Sequence, residues 1–366
     1  MKFVDEYRDA GLVRRLAEET SRLAGRRELT FMEVCGTHTM SIFRNGIRVL
    51  LPATLRLLSG PGCPICVTPN RYLDQAIALS RLPGITITTF GDMMRVPGST
   101  SSLERERAVG RDIRVVYSPL DALELARRNP SREIVFLGVG FETTSPGVAA
   151  AVQLAGSRHL SNISFLVAHK VIPPAMRALI EGGVAIDGFL CPGHVSVITG
   201  SKPYEFLARD YGHPCVVAGF EAADVLEAIL MLVRQAIAGE AAVEIQYRRA
   251  VTQEGNKEAQ RLLNSTFDTV DSEWRGIGSI PESGLSLRAE LKGLDAAEKF
   301  EVEVEPTLEP KGCRCGEVLQ GRITPNTCPL FETACTPENP VGSCMVSSEG
   351  TCAAWYRYAR MPGDCL

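Results

Sequence analysis

The sequence predicts an α/β protein with two parallel-sheet α/β domains and a third, smaller Cys-rich domain, and three observations carry that prediction. Short β-rich runs alternate with helix-periodic stretches from the N-terminus to about residue 239. The 366 residues exceed one ordinary core, and 45% hydrophobic residues suffice for more than one. Of twelve cysteines, seven lie between Cys313 and Cys365 in a segment with little periodicity.

Taken in order, an amphipathic helix precedes the strand runs "LTFMEV", "LRLLS", "ITITTF", "IRVVYS", "EIVFLGVG", "ISFLVAH", "DGFLC" and "CVVAGF". Each is short, rich in β-branched or aromatic residues and bounded by turn formers. Between them "NRYLDQAIALSRL", "DALELARRN", "SPGVAAAVQLAG" and "PAMRALIEGG" have helical periodicity. A seam is expected near "YSPLDALE", residues 117–124, which gives a first domain over 1–118 and a second over 119–238. Near residue 239 the texture turns polar, and a third domain is expected over 239–366. Its Cys-rich part has too few apolar residues for a core of its own and would gain order from a bound metal centre.

A formal net charge of -4 without a basic stripe excludes nucleic acid as an expected partner. "MKFVDEYRDAGLVRRLAEET" is charged throughout and does not read as a signal peptide. The apolar stretch "DVLEAILMLVRQAIAG" is short and carries Glu227 and Arg234, so it reads as a buried or amphipathic helix and not as a membrane span. A cytoplasmic protein without membrane contact is therefore expected. In that reducing compartment cysteines serve metal ligation or redox chemistry more than structural disulfides.

The distinctive stretches all follow strand runs: "CGTHT", "GPGCPIC", "GDMMRVPGS", "GFETTSPG", "HKVIPP" and "CPGHVSVITG". In open parallel sheets the ligand crevice lies beyond the carboxyl ends of the strands, so these loops should converge on one or two crevices. In the tail, Cys313-x14-Cys328-x6-Cys335-x16-Cys352 offers four thiolates, with Cys315, Cys344 and Cys365 as spares. All-thiolate ligation suits zinc or an iron–sulfur cluster, and the lack of paired C-x-x-C knuckles there favours the cluster.

"EVCGTHTM" puts Cys35 at a strand end beside Gly36, the hydroxyls of Thr37 and Thr39, and His38 as a base or ligand. A thiolate near free N–H groups and an imidazole is activated for nucleophilic attack or metal capture; a buried Cys with a capping His is the bland counterpart. Cys63 and Cys66 form a C-x-x-C in a stiff Gly-Pro turn, open to metal binding, redox cycling or packing. At the start of a helix one of its thiolates would be stabilised by the helix dipole.

"GVGFETTSPG" departs from a dinucleotide loop because Thr143 fills the third glycine position, so Glu142, Thr143 and Thr144 could line the crevice, bind a partner or cap a helix. Cys191, His194 and Ser196, with His169 and Lys170, are further crevice candidates. His159 and His213 read as surface loop residues.

Taken together, "CGTHT", "GPGCPIC", "GFETT", "CPGHVSVITG" and "CRCGEVLQG…CPLFETACTPENPVGSCMVSSEGTCAAWY" resemble the hydrogenase maturation factor HypD family, in the right order across essentially the whole chain. The resemblance implies a scaffold on which the Fe(CN)2CO unit of [NiFe]-hydrogenase is assembled with a HypC-type chaperone, cyanide coming from a HypE-type donor. The chain itself would be a monomer before complex formation. By the family pattern Cys35 would hold the iron, Cys63 and Cys66 would be the redox-active pair, and Cys313, Cys328, Cys335 and Cys352 would bind a [4Fe-4S] cluster in a small iron–sulfur domain. His38, Glu142 and His194 are the further expected catalytic residues, and Thr37, Thr143 and Thr144 the expected contacts to the bound group. Donors such as His38 or the threonine hydroxyls would serve the cyanide nitrogen. Cys315 or Cys344 could replace one of the four ligands, and Cys315 could join the redox chemistry. The alternative is an iron–sulfur-dependent thiol–disulfide oxidoreductase. The C-x-x-C pair is expected between the cluster and Cys35.

Overall fold

The alternating strand and helix signals resolve into two parallel sheets. The computed structural model describes residues 9–359; the first eight residues and the spare Cys365 lie outside the described residues. The N-terminal helix Ala10–Ala24 starts at Asp9, whose carboxylate accepts from the Gly11 and Leu12 N–H groups at 2.6 and 3.0 Å. The strand runs become β1 (Leu29–Glu33), β2 (Leu55–Ser59), β3 (Ile85–Thr89), β4 (Ile113–Val115), β5 (Glu133–Gly138), β6 (Ile163–Val167), β7 (Gly188–Pro192) and β8 (Cys215–Ala218), followed by β9 (Val243–Ile245). The first sheet has the order β2-β1-β7-β8-β9 and the second the order β4-β3-β5-β6. Every pairing in both is parallel. Helices cover the sheets, which is why strands such as β3 are buried at every residue.

The expected seam at 117–124 does not divide these sheets. β4 and helix Pro119–Arg128, on either side of it, both pack in the second sheet. The chain instead leaves the first sheet after β2, builds the whole second sheet, and returns at β7. Periodicity identifies strands, but it does not say which strands are neighbours, and runs of similar composition hide such a crossing.

The expected third domain over 239–366 is also redrawn. β9 extends the first sheet, and helix Lys257–Thr266 packs on helix Ser145–Ser157. An antiparallel hairpin of β10 (Phe267–Trp274) and β11 (Gly278–Leu287) packs on helix Ile172–Glu181. Residues 243–300 thus complete the two α/β layers. The Cys-rich remainder has a small apolar cluster of its own around Cys335, Met345 and Ala353, while Cys315, Leu319, Cys344 and Val346 join the main core. It is a small layer anchored on the α/β body.

In the first sheet β1 lies between β2 and β7, so the strand order reverses there and opens a crevice past the ends of β1 and β7. The corresponding point in the second sheet lies between β3 and β5. Among the described residues no helix is long and apolar enough to cross a membrane.

A cysteine-lined candidate site at the first-sheet crevice

Cys35 leaves β1 and is the N-cap of helix Gly36–Arg44. Its N–H donates to Glu33 at 2.9 Å, and the Thr39 hydroxyl donates to the other oxygen of the same carboxyl group. Burial pushes Glu33 up to about 8. Burial also pushes the Cys35 thiol up to about 12, against the backbone N–H groups of His38 and Thr37 and with the carboxylates of Glu349 and Glu33 adding to the rise. The expected activated thiolate is therefore a protonated thiol here, because burial outweighs the helix-end N–H groups. Metal binding would deprotonate it directly.

His38 is fully buried, and burial lowers it to about 4, so the ring is neutral. Its Nε2 lies 3.2 and 3.0 Å from the Ala218 and Gly219 carbonyls, which assigns the ring proton to Nε2. Nδ1 then holds a lone pair and has no hydrogen-bond partner among the described residues. This corrects the expectation that His38 donates to a cyanide nitrogen: its free atom is an acceptor, suited to a base or a ligand. The threonine hydroxyls are committed as well, Thr39 to the Glu33 carboxyl group and Thr37 to Glu349 at 2.7 Å. His194, on the helix Gly193–Thr199 that begins directly after β7, stacks on Phe220 at 3.9 Å, and the same Phe220 ring lies 4.8 Å from His38. It is exposed on its outer side, and partial desolvation lowers it below its ordinary value.

The dithiol turn packs directly on Cys35. Gly36 N–H donates to the Gly62 carbonyl at 2.9 Å, and a Cβ on Gly62 would stand 2.1 Å from the Cys35 nitrogen. Cys63 then caps a single helical turn, Pro64–Val67, with Cys66 fully buried inside it. Burial pushes Cys66 well above the ordinary thiol range. The expected dipole-stabilised thiolate is not found at Cys66, because one turn of helix adds little field and burial dominates.

Cys66 in turn touches the tail. The Ser343 hydroxyl donates to the Cys66 carbonyl at 3.0 Å, and the Cys66 thiol donates to the Ser343 carbonyl at 4.0 Å, one residue before Cys344. Cys344 lies 2.7 Å, sulfur to sulfur, from Cys315, and both are buried. This pair lines a cavity together with Cys313, Cys328, Cys335 and Cys352. Its wall is mostly sulfur and hydrocarbon, with Leu330, Phe331 and Met345 between the thiols and Arg314 beside them. All six described tail cysteines thus line one cavity, and within it Cys315 and Cys344 form the close, buried pair on the side of Cys66. Among the described residues no group of three or more His, Cys, Asp or Glu is gathered tightly enough to hold a single metal ion. Four thiols spread around an apolar cavity fit the donor set of an iron–sulfur cluster, which is larger than one ion.

The residues expected from the second sheet are elsewhere. Glu142 is buried past β5, where one oxygen accepts from Ile172 N–H at 3.0 Å at the start of helix Ile172–Glu181 and the other has no partner among the described residues. Burial raises it to about 7. Thr143 and Thr144 are exposed; Thr144 is the N-cap of helix Ser145–Ser157, and its hydroxyl returns to the Phe141 carbonyl without capping the helix. His169 is buried against the Gly138–Gly140 turn, and Lys170 donates to Ser272 and the Glu273 carbonyl. Cys191 and Ser196 are buried in the first sheet layer. No hydrogen bond among the described residues joins Glu142, Thr143 or Thr144 to the surroundings of Cys35.

The HypD family, described as "Hydrogenase formation hypA family", matches residues 11–359. The chain belongs to the HypD family. It is 47% identical over 371 residues to Hydrogenase maturation factor HypD of Cupriavidus necator, covering 98% of each chain. It is 47% identical over 370 residues to the Rhodobacter capsulatus protein of the same name, again covering 98% of each, and 45% identical over 372 residues to that of Escherichia coli, covering 100% of each.

One residue of this HypD-family chain's site has no sequence signal. Glu349 sits between Cys344 and Cys352, and its backbone and Cβ press against Gly36, where an added Cβ would stand 2.5 Å away. Its carboxylate holds Thr37, and its charge acts on Cys35 and His194. "SSEG" in a Cys-rich tail carries no spacing that would mark it. Only the fold of the tail over helix Gly36–Arg44 brings it to Cys35.

Proposed function

We propose that the chain acts in [NiFe]-hydrogenase maturation as the scaffold on which iron receives its cyanide and CO ligands, together with a HypC-type chaperone and a HypE-type cyanide donor. The observation that carries this reading is the run of thiols from the tail cavity, through Cys344 and its neighbour Ser343 bonded to Cys66, to the turn that packs on Cys35. The iron is cargo, held at Cys35, where a soft low-spin centre finds a thiolate, the Nδ1 lone pair of His38 and the imidazole of His194. Cys313, Cys328, Cys335 and Cys352 would hold a [4Fe-4S] cluster, which supplies one-electron chemistry when bound.

The chain's own thiols then convert single electrons to pairs. A Cys315–Cys344 disulfide would reopen to two thiols on taking up two protons and two electrons, the electrons supplied one at a time by the bound cluster. Thiol–disulfide exchange can bring a Cys63–Cys66 bond there: the Cys344 thiolate attacks Cys66 and releases Cys63, and Cys315 then attacks Cys344 and releases Cys66. Burial keeps both pairs away from outside disulfides, which favours a scaffold over a general thiol–disulfide oxidoreductase.

Infrared spectroscopy of the anaerobic complex with the HypC-type partner tests this. CN and CO stretching bands are expected, and they should vanish in Cys35→Ala. Bands that persist in that variant would remove Cys35 from the role.

A further inference from the structure

We propose that Arg275 is the fixed counter-charge of the cluster, a positioning residue whose buried guanidinium favours the reduced state and so sets the driving force for delivering electrons to the dithiols. The inference rests on the reading that the four cavity cysteines hold a [4Fe-4S] cluster.

Arg275 sits at the tip of the β10–β11 hairpin and is only 4% exposed. A buried guanidinium ordinarily has a carboxylate partner, since an unpaired charge is costly in a low-dielectric interior. Among the described residues Arg275 has none: its Nη2 donates to the Asn70 side-chain oxygen, and its Nε is buried without any partner. Asn70 is neutral and is itself tied to the Leu308 carbonyl at 2.9 Å. By contrast Arg314, which lines the cavity, is committed to Glu317 at 2.5 Å.

The hairpin tip is wedged between the two thiol-bearing segments. Arg275 N–H donates to the Val67 carbonyl at 2.9 Å, one residue past Cys66. Gly276 is pressed against Gly316, where an added Cβ would stand 2.1 Å from the Gly316 Cα, and the Gln320 side chain donates to the Gly276 carbonyl at 2.6 Å. Gly316 follows Cys315 of the cavity wall, so the hairpin tip that carries Arg275 lies beside the cavity. Four thiolates outweigh the charge of the iron–sulfur core, so the site is anionic and becomes more so on reduction. A cation held nearby in an apolar surrounding stabilises the reduced form more than the oxidised one. An unpaired buried arginine at this position therefore has a partner of the required sign once the cluster is bound.

Anaerobically reconstituted full-length protein, titrated with a redox mediator series and followed by absorbance and electron paramagnetic resonance, tests the inference. Arg275→Gln should lower the reduced-to-oxidised ratio at a fixed poise about tenfold, equivalent to about 59 mV for one electron. Arg275→Lys should stay near the wild-type ratio. Asn70→Asp, which supplies the guanidinium with a carboxylate and leaves Arg275 in place, should shift the ratio in the same direction as Arg275→Gln and covers the case in which that variant does not fold. An unchanged ratio in Arg275→Gln or Asn70→Asp, or an equal fall in Arg275→Lys, would overturn it. Wild-type protein that takes up no iron–sulfur cluster would instead overturn the cluster reading itself.

Discussion

Single residues set the chemistry of the Cys35 pocket mainly by how closely backbones approach there. Gly62 has no room for a side chain against Cys35, so Gly62→Ala should cost about 1–3 kcal/mol of stability through overpacking. Urea unfolding would show this, and an unchanged midpoint would mean that the turn can move away from Cys35. Titratable groups add a pH dependence. Glu142 is raised by burial from its ordinary 4.5 to about 7, so the folded state keeps a proton that the unfolded chain releases. Its contribution to stability is complete below the unfolded value and is lost as pH rises through the folded one. Glu142→Gln should flatten the fall in unfolding free energy between about pH 4.5 and about pH 7, and an unaltered slope would contradict the raised value. At this scale the cysteines, His38 and His194 were legible in the sequence because their residue types carry chemistry. Glu349 and Arg275 were not, since each acts only through a neighbour that is distant in the chain.

At the scale of elements, β1 through β8 were legible because parallel strands covered on both faces read as short apolar, β-branched runs. The hairpin was not. β10 is mostly exposed and polar, and β11 contains Pro281 and Gly284, so neither reads as a strand from composition. Yet its tip is what joins the dithiol turn to helix Cys315–Leu319. The tail's spacing narrowed the ligand choice without deciding it, because seven cysteines allow several sets of four. The fold brings all six described tail cysteines to one cavity and pairs Cys315 with Cys344 at 2.7 Å, which leaves the other four as the ligand set of this account. Accordingly Cys328→Ala or Cys352→Ala should lose most of the iron and visible absorbance after reconstitution, while Cys315→Ser and Cys344→Ser retain them. Retention in the first pair and loss in the second would reverse the assignment.

For the whole molecule, the interleaved topology makes the two sheets depend on each other. The second sheet is inserted between β2 and β7 of the first, and the tail then packs across the crevice of the first. A division of the chain near residue 118 was the natural reading of a linear pattern, and it failed because strand adjacency is a long-range property. The two tryptophans report on different parts: Trp274 is buried in the hairpin, and Trp355 lies against Phe43 of the helix that follows Cys35. Their fluorescence and the far-ultraviolet circular dichroism should unfold in one coincident transition. Separate transitions would show that the layers fold independently.

The central claim is that Cys344 connects the tail to the C-x-x-C pair beside Cys35. It is tested most directly by reducing reconstituted, oxidised protein with a non-thiol reductant, quenching with an alkylating agent at intervals, and locating the remaining disulfides by mass spectrometry. The expected result is loss of both the Cys315–Cys344 and Cys63–Cys66 bonds in wild type, with Cys63–Cys66 persisting when Cys344→Ser removes the link. Equally fast reduction of Cys63–Cys66 in that variant would contradict it.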